Sequence, residues 1–208
     1  RAEGRKRPVR QINNFQFLGE WTADARTLLV TGTHGKSTVT AMLGLLLEAG
    51  GMDPTVLVGS RVASFPEGNL RMGRKDFYVI EGDEFARHFL EFHPWGVIIN
   101  NMELDHTDVY ADMQAVVETF RELLRRVQDR GIVVANADDP QVSTLIGQER
   151  AHLEQRGVRI RTFGAGSHAD IQMMDMACKT GEQTFSLRDG QGLVTRHTLL
   201  IPGRMNAM

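Results

Sequence analysis

The chain has 208 residues, enough for one substantial domain with a small appendage. Hydrophobic residues make up 41% of it and charged residues 24%, a balance typical of globular proteins that excludes the disordered and fibrous classes. The net charge of −2 provides no overall basic field that would attract nucleic acid or an anionic membrane, so we expect neither as a partner.

The first ten residues contain five basic side chains and predict a solvated terminal arm. Such a segment resembles the charged start of a signal peptide, but polar residues between positions 11 and 16 interrupt the apolar run that a signal peptide requires. No segment approaches about 18 uninterrupted apolar residues, so no transmembrane helix is predicted. The single cysteine, Cys178, cannot form an internal disulfide, which fits a cytoplasmic location. A chain that begins with Arg1 is expected to be part of a longer protein.

From residue 27 onward, short β-rich segments alternate with helical patterns, which is typical of a parallel sheet covered by helices. Strands are predicted at residues 28–30, 77–80, 97–99 and 132–134. Apolar spacing predicts three helices: one at 39–47 stopped by Gly50 and Gly51, one at 113–127 ended by Gly131, and one opened by Pro140. The predicted fold class is α/β, with a mostly parallel central sheet flanked by helices.

Beyond about residue 161 the pattern changes to short, partly alternating segments at residues 171–176, 183–187 and 193–200. They predict a small antiparallel meander packed beside the main sheet. Three methionines of this region, Met173, Met174 and Met176, could suggest a soft metal site. Since no cysteine and histidine cluster accompanies them, we interpret them as fillers of a small core.

The strongest motif is TGTHGKST at residues 31–38, between a buried strand and an amphipathic helix. This is the context of a phosphate-binding loop, in which glycines let backbone N–H groups approach phosphate oxygens. Lys36 can neutralise the terminal phosphates, and the hydroxyl of Ser37 can hold Mg²⁺. The usual pattern has a further glycine where this chain has Val30, and the alternative interpretation is an ordinary turn between strand and helix.

Two further polar clusters follow predicted strands, FYVIEGDE at residues 77–84 and NNMELDHTD at residues 100–108. Parallel sheets bind ligands at the carboxyl ends of their strands, so both clusters should lie near the phosphate loop. Glu81 is a candidate Mg²⁺ ligand, although acids after a strand often form only a solvated turn. His106 could bind a second divalent ion or contact the transferring phosphate, oriented by Asp105, or it could have a structural role.

Taken in order, TGTHGKST, IEGDE, NNMELDH, NADDP and IPGRMNA resemble the central ATP-binding domain of the Mur ligase family. The resemblance covers nearly the whole chain from about residue 8, and GTHGKS is most similar to the branch that joins UDP-N-acetylmuramate to L-alanine or to a murein peptide. It implies that ATP phosphorylates a substrate carboxylate and that an amine attacks the acyl phosphate. ADP and phosphate are released as the amide forms.

The resemblance also implies site residues. Ser37 and Glu81 would hold a first Mg²⁺, His106 would hold a second, and Lys36 and His106 would serve catalysis. Asn206 would contact adenine, although Met205 stands where the family usually has histidine. The modified lysine of some sister ligases is not found, and Arg121 and Arg125 lie in that region instead. The residues that would surround the phosphates are Gly32, Thr33, His34, Gly35, Lys36, Ser37 and Thr38.

On this interpretation, residues 1–26 are an arm or linker from a missing domain, residues 27–202 are the central ATP-binding domain, and residues 203–208 begin the hinge to a missing C-terminal domain. The UDP-muramyl substrate and those two domains of the parent chain are the expected partners. Two alternatives remain open. One is a related ligase with a different acceptor, of the folate or cyanophycin type, and the other is a nucleotide-dependent switch or binding module without ligase chemistry.

Overall fold

The computed structural model of the chain describes residues 9–179 and 181–200, apart from the side chain of Lys75. In this part of the chain the α-helices are α1 (Asn14–Trp21), α2 (Lys36–Ala49), α3 (Met113–Arg126) and α4 (Pro140–Gln155), and a 3-10 helix spans Phe85–Glu91. The strands are β1 (Arg26–Thr31), β2 (Pro54–Leu57), β3 (Leu70–Arg71), β4 (Arg74–Glu81), β5 (Gly96–Ile99), β6 (Ile132–Asn136), β7 (Arg159–Gly164), β8 (Ile171–Lys179), β9 (Glu182–Arg188) and β10 (Val194–Leu199).

The strands form one sheet in the order β10-β9-β8-β7-β6-β5-β1-β4-β2-β3. Every pairing from β2 through β4, β1, β5 and β6 to β7 is parallel. The predicted α/β fold with a mostly parallel sheet is therefore confirmed. Because parallel strands end at the same edge, the loops after β1, β4 and β5 all start on one side of the molecule.

The C-terminal meander differs from the prediction in its placement. It is antiparallel, as predicted, but it continues the main sheet and is not packed beside it. β8 joins β7 through the parallel pairs Phe163 with Ile171 and Gly164 with Gln172. Without this contact the last part of β7 would present unpaired backbone groups at a sheet edge, and adding a strand satisfies them.

Helix ends follow the local sequence. Gly50 caps α2 and Gly51 adopts a φ of +81°, so the predicted stop is confirmed. The carboxylate of Asp139 accepts hydrogen bonds from the first turn of α4, where Pro140 occupies the first position as predicted. α3 ends earlier than predicted, at Arg126, because the next residue turns to an extended ψ of 132°.

Each face of the sheet carries a core. Neighbouring residues on a strand point to opposite faces, so Leu29 belongs to the larger core under α3 and α4, and Val30 belongs to the smaller one under α2. Phe15 and Leu18 of α1 pack against the larger core, so residues 1–26 include a helix that contacts the domain. Met173 is buried, as expected for a filler. No helix within the described ranges is long and apolar enough to cross a membrane.

Candidate nucleotide-binding site

The register of the three central strands fixes the site. Val30 is paired with Glu81 of β4 and with Ile98 of β5, and Thr31 is paired with Ile99. The TGTHGKST loop, the segment after Glu81 and the segment after Ile99 therefore begin at the same level of the sheet. Sequence reasoning placed these three polar clusters at one edge, and the structure brings them together there.

The backbone of the predicted phosphate loop requires glycine at two positions. Gly32 has a φ of +134°, and a Cβ there would lie 3.0 Å from the backbone N and O of Asn101. Gly35 has a φ of +81° at the N-terminal cap of α2. His34 and Gly35 are exposed at the apex, and Thr38 is half-buried in the first turn of the helix. An α-helix that starts on an exposed glycine loop directs unpaired N–H groups towards a bound anion.

The ammonium of Lys36 lies inside this loop. Its Nζ donates to the carbonyl oxygens of Gly32 at 2.8 Å and Thr33 at 3.1 Å, and to Oε1 of Glu84 at 3.0 Å. The other oxygen of Glu84 makes an ionic contact with Nζ at 2.9 Å without an aligned hydrogen bond. Glu84 is only 4% exposed. Burial raises the pKa of its carboxyl group, and the hydrogen bond from Lys36 opposes that shift.

Ser37 and Glu81, the two residues predicted to hold the first Mg²⁺, are in contact with each other. The Ser37 hydroxyl donates to Oε1 of Glu81 at 2.9 Å, and the backbone N–H of Gly59 donates to Oε2 at 2.6 Å. A hydroxyl oxygen beside a carboxylate held in a fixed direction is the hard donor set that Mg²⁺ prefers. These residues therefore fit the ion that the resemblance implies.

His106 lies on the same side but has different neighbours. Its backbone N–H donates to Oδ1 of Asp105 at 2.7 Å, and its Nε2 is 4.0 Å from Oδ2 of Asp105, so the predicted orienting residue is adjacent. Its ring meets the ring of Phe85 edge-on, with centroids 4.9 Å apart. The φ of His106 is +53°, an uncommon conformation for a residue with a side chain. Among the described residues, no group of three or more His, Cys, Asp or Glu side chains surrounds a common metal position.

Sequence reasoning missed the residues that hold the loop. Oδ1 of Asn101 accepts from the backbone N–H of His34 at 2.7 Å, and Nδ2 donates to the His34 carbonyl at 3.2 Å. The backbone N–H of Glu103 donates to the Thr33 hydroxyl at 2.9 Å. The signal was present in the amide pair NN directly after a buried strand, whereas the role of Glu84 depends on a contact across 48 residues.

Two other sequence observations lie away from the loop. Arg121 and Arg125 of α3 both contact the carboxylate of Glu149 on α4, so they join two helices. Met205 and Asn206, the predicted adenine contact, lie outside the described residues.

Comparison with known proteins agrees with the motifs. A model of the Mur ligase middle domain matches residues 30–208. The chain is 34% identical over 204 residues to a UDP-N-acetylmuramate–L-alanine ligase of Kineococcus radiotolerans, covering 98% of the chain and 42% of that relative. It is 40% identical over 156 residues to the ligase of the same name from Desulfitobacterium hafniense, covering 75% of the chain and 32% of that relative. The chain thus spans roughly two fifths or less of these relatives.

Solved structures show the same likeness. The UDP-N-acetylmuramate:L-alanyl-gamma-D-glutamyl-meso-diaminopimelate ligase from Neisseria meningitides superposes with a TM-score of 0.78 at 27% identity, over 94% of this chain and 63% of that one. The UDP-N-acetylmuramate-alanine ligase from Thermotoga maritima gives 0.75 at 26% identity, over 93% of this chain and 41% of that one. Because the model of the Mur ligase middle domain covers most of the chain, the protein belongs to the Mur ligase family and corresponds to the middle domain of that family.

Proposed function

We propose that the chain is the ATP-binding central domain of a peptidoglycan amide ligase. The γ-phosphoryl group of ATP would pass to the carboxylate of UDP-N-acetylmuramate, forming an acyl phosphate and releasing ADP. The amine of L-alanine or of a murein peptide would then attack the acyl carbon, and phosphate would leave as the amide forms. The observation that carries this proposal is the contact between Ser37 and Glu81 beside the lysine of a phosphate loop.

The chain's own residues would bind and neutralise the triphosphate. The start of α2, from Gly35 to Thr38, offers backbone N–H groups, and Lys36 offers a positive charge. Ser37 and Glu81 would hold Mg²⁺, which when bound neutralises the charge that develops on the phosphoryl oxygens. Phosphoryl transfer depends mainly on such positioning and charge neutralisation, so a phosphate loop with two hard oxygen donors suits it.

His106 is proposed to hold a second divalent ion or to contact the transferring phosphate, with Asp105 limiting its orientation. An ion held by His106 would take its remaining ligands from oxygens of the substrates. Asn206 is proposed as the adenine contact at the junction with the next domain. Domains that flank this chain in a longer protein would bind the UDP-sugar and the acceptor amine, and the reaction would take place in the cytoplasm, where ATP is supplied.

Calorimetry with ATP and Mg²⁺ on the 208-residue chain tests nucleotide binding. We expect weak binding, because the adenine contacts are proposed to be shared with a neighbouring domain. No heat and no thermal shift at millimolar ATP, with a folded sample, would contradict the proposal.

Ligase activity requires the longer protein. With UDP-N-acetylmuramate and ATP, release of ADP that depends on L-alanine supports one acceptor, and release that depends on the tripeptide L-alanyl-γ-D-glutamyl-meso-diaminopimelate supports the other. Release of ADP that requires a folate-type or cyanophycin-type substrate in place of these compounds would indicate a related ligase. Nucleotide binding without an amide product from any of them would indicate a switch.

The metal roles are tested in the same protein with Glu81→Gln and His106→Ala. Loss of turnover with a nearly unchanged melting temperature supports metal or phosphate contacts, because such groups act on developing charge. Normal turnover in both variants would end the metal hypothesis. A loss of activity that only follows a large loss of melting temperature would favour structural roles.

A further inference from the structure

All three N–H donors of the Lys36 ammonium are used within the protein. Two go to the loop carbonyls of Gly32 and Thr33, and the third goes to Glu84. An ammonium group has three donors and no acceptor. A phosphate oxygen can therefore receive a hydrogen bond from Lys36 only after one of these three contacts is released.

The backbone of Glu84 is held in place by its surroundings. The hydroxyl of Tyr110 donates to the Glu84 carbonyl at 2.5 Å. Burial raises the pKa of that hydroxyl, so it keeps the proton that it donates. The chain then passes through two left-handed residues, Ala86 with φ +48° and Arg87 with φ +61°. Left-handed residues that are not glycine persist where the surrounding structure over-determines them, so the position of Glu84 is specified by the fold.

We propose that Glu84 is a positioning residue of the nucleotide site, which holds Lys36 in the nucleotide-free loop and gives it up to an incoming phosphate. This inference rests on the proposed function. In this exchange Lys36 keeps its hydrogen bonds to the carbonyl oxygens of Gly32 and Thr33. The N–H that now donates to Glu84 is the one that donates to phosphate instead.

The exchange of partners has an electrostatic consequence. Before binding, the Lys36 and Glu84 charges compensate each other at 2.9 Å. After binding, Lys36 faces phosphate, and the buried Glu84 carboxylate loses most of its counter-charge close to an anionic ligand. Both the lost contact and the like-charge repulsion oppose ATP binding. A neutral side chain of the same size at position 84 should therefore strengthen ATP binding.

The test is calorimetry with ATP and Mg²⁺ on the whole chain carrying Glu84→Gln. We expect the dissociation constant to fall by about three- to tenfold, the size expected for one charge-assisted contact. The matched control is Glu149→Gln, since Glu149 is likewise a buried acid paired with a basic side chain, Arg121, but lies on α4 where it faces α3. Its ATP affinity should equal that of the wild type. If Glu84 had only a structural role, Glu84→Gln would bind ATP as tightly as the wild type or more weakly. An unchanged or a weaker ATP affinity of Glu84→Gln therefore overturns the proposal.

A second measurement needs no nucleotide. Trace acetylation of the amines, read by mass spectrometry, should modify Lys36 faster in Glu84→Gln than in the wild type, relative to the exposed Lys179. Equal rates would show that Glu84 does not hold the ammonium. If Glu84→Gln does not fold, Glu84→Asp withdraws the carboxylate from Lys36 by one methylene group and should still speed the acetylation of Lys36, and an unchanged rate in that variant would overturn the proposal. A wild-type chain that binds no ATP contradicts the proposed function, whereas the acetylation result still decides the role of Glu84.

Discussion

Replacing Gly59 by alanine tests whether the direction of the Glu81 carboxylate matters for Mg²⁺. Gly59 lies just after β2, and its N–H donates to Oε2 of Glu81 at 2.6 Å. A Cβ at this position would lie 2.9 Å from Oε1 and 3.0 Å from Cδ of the same carboxylate. The methyl group of alanine would therefore press directly on the proposed metal ligand.

The required displacement can be estimated from these distances. Ordinary van der Waals contacts of a Cβ atom begin near 3.4 Å, so the carboxylate must move away by about 0.5 Å from its position 2.9 Å from that Cβ. Metal sites tolerate deviations of about 0.2 Å in ligand distance, and disturbed supporting groups typically cost about 10- to 100-fold in metal affinity. The obstructing atoms are the end of a side chain that can move, so the loss of stability should stay below about 1 kcal/mol.

The assay is the affinity of the chain for ATP as a function of Mg²⁺ concentration, with the melting temperature of each variant. We expect Gly59→Ala to need at least about tenfold more Mg²⁺ for the same ATP binding. The control is Gly147→Ala, because a Cβ on that exposed face of α4 meets nothing within 4 Å. It should raise the stability by about 0.5–1 kcal/mol and leave the Mg²⁺ requirement unchanged. An unchanged Mg²⁺ requirement in Gly59→Ala would refute the assignment of Glu81 as a ligand.

Three further predictions concern the loop and its neighbour Glu84. Lys36→Ala removes the cation of the loop and should weaken ATP binding by at least about tenfold. It should also lower the melting temperature, because Glu84 is then buried without its counter-charge, and the double variant with Glu84→Gln should recover that stability. Asn101→Ala removes both hydrogen bonds to the His34 backbone, so it should weaken ATP binding about three- to tenfold with little change in melting temperature. An unchanged affinity for ATP would show that the loop does not need these hydrogen bonds. Burial raises the pKa of Glu84 above its ordinary 4.5, so folding favours the protonated form. The unfolding free energy of the wild type relative to Glu84→Gln should be largest below pH about 4.5 and fall as the pH rises through the raised pKa; denaturant titrations that give a difference independent of pH would contradict this.

The sequence was sufficient for the parts of the fold that local patterns determine. A buried strand, a glycine-rich turn and a periodic helix identify the phosphate loop, because each of these signals is contained within about twenty residues. The position of Glu81 followed from a general property of parallel sheets, whose strands end at one edge. Both inferences needed no knowledge of side-chain contacts.

Other features depend on contacts that no local pattern reveals. The strand Pro54–Leu57 has four residues and the strand Leu70–Arg71 has two, too few for a clear alternation. The contact of Lys36 with Glu84 requires the register of two strands and a 3-10 helix that begins directly after Glu84. The support of His34 by Asn101 likewise joins loops that are 67 residues apart. These are tertiary properties, and they account for the residues that sequence reasoning missed.

The pairing between β7 and β8 is the shortest among the last strands of the sheet, and it separates β8, β9 and β10 from the parallel strands. Only two residue pairs connect them, whereas β8 with β9 and β9 with β10 are joined along most of their lengths. Opening this pairing therefore breaks few backbone hydrogen bonds and leaves the strands around the phosphate loop paired. Proteins open locally in units of this kind, each with its own free energy. We therefore expect the last three described strands to open together, as one element, before the strands that carry the proposed nucleotide-binding loop separate.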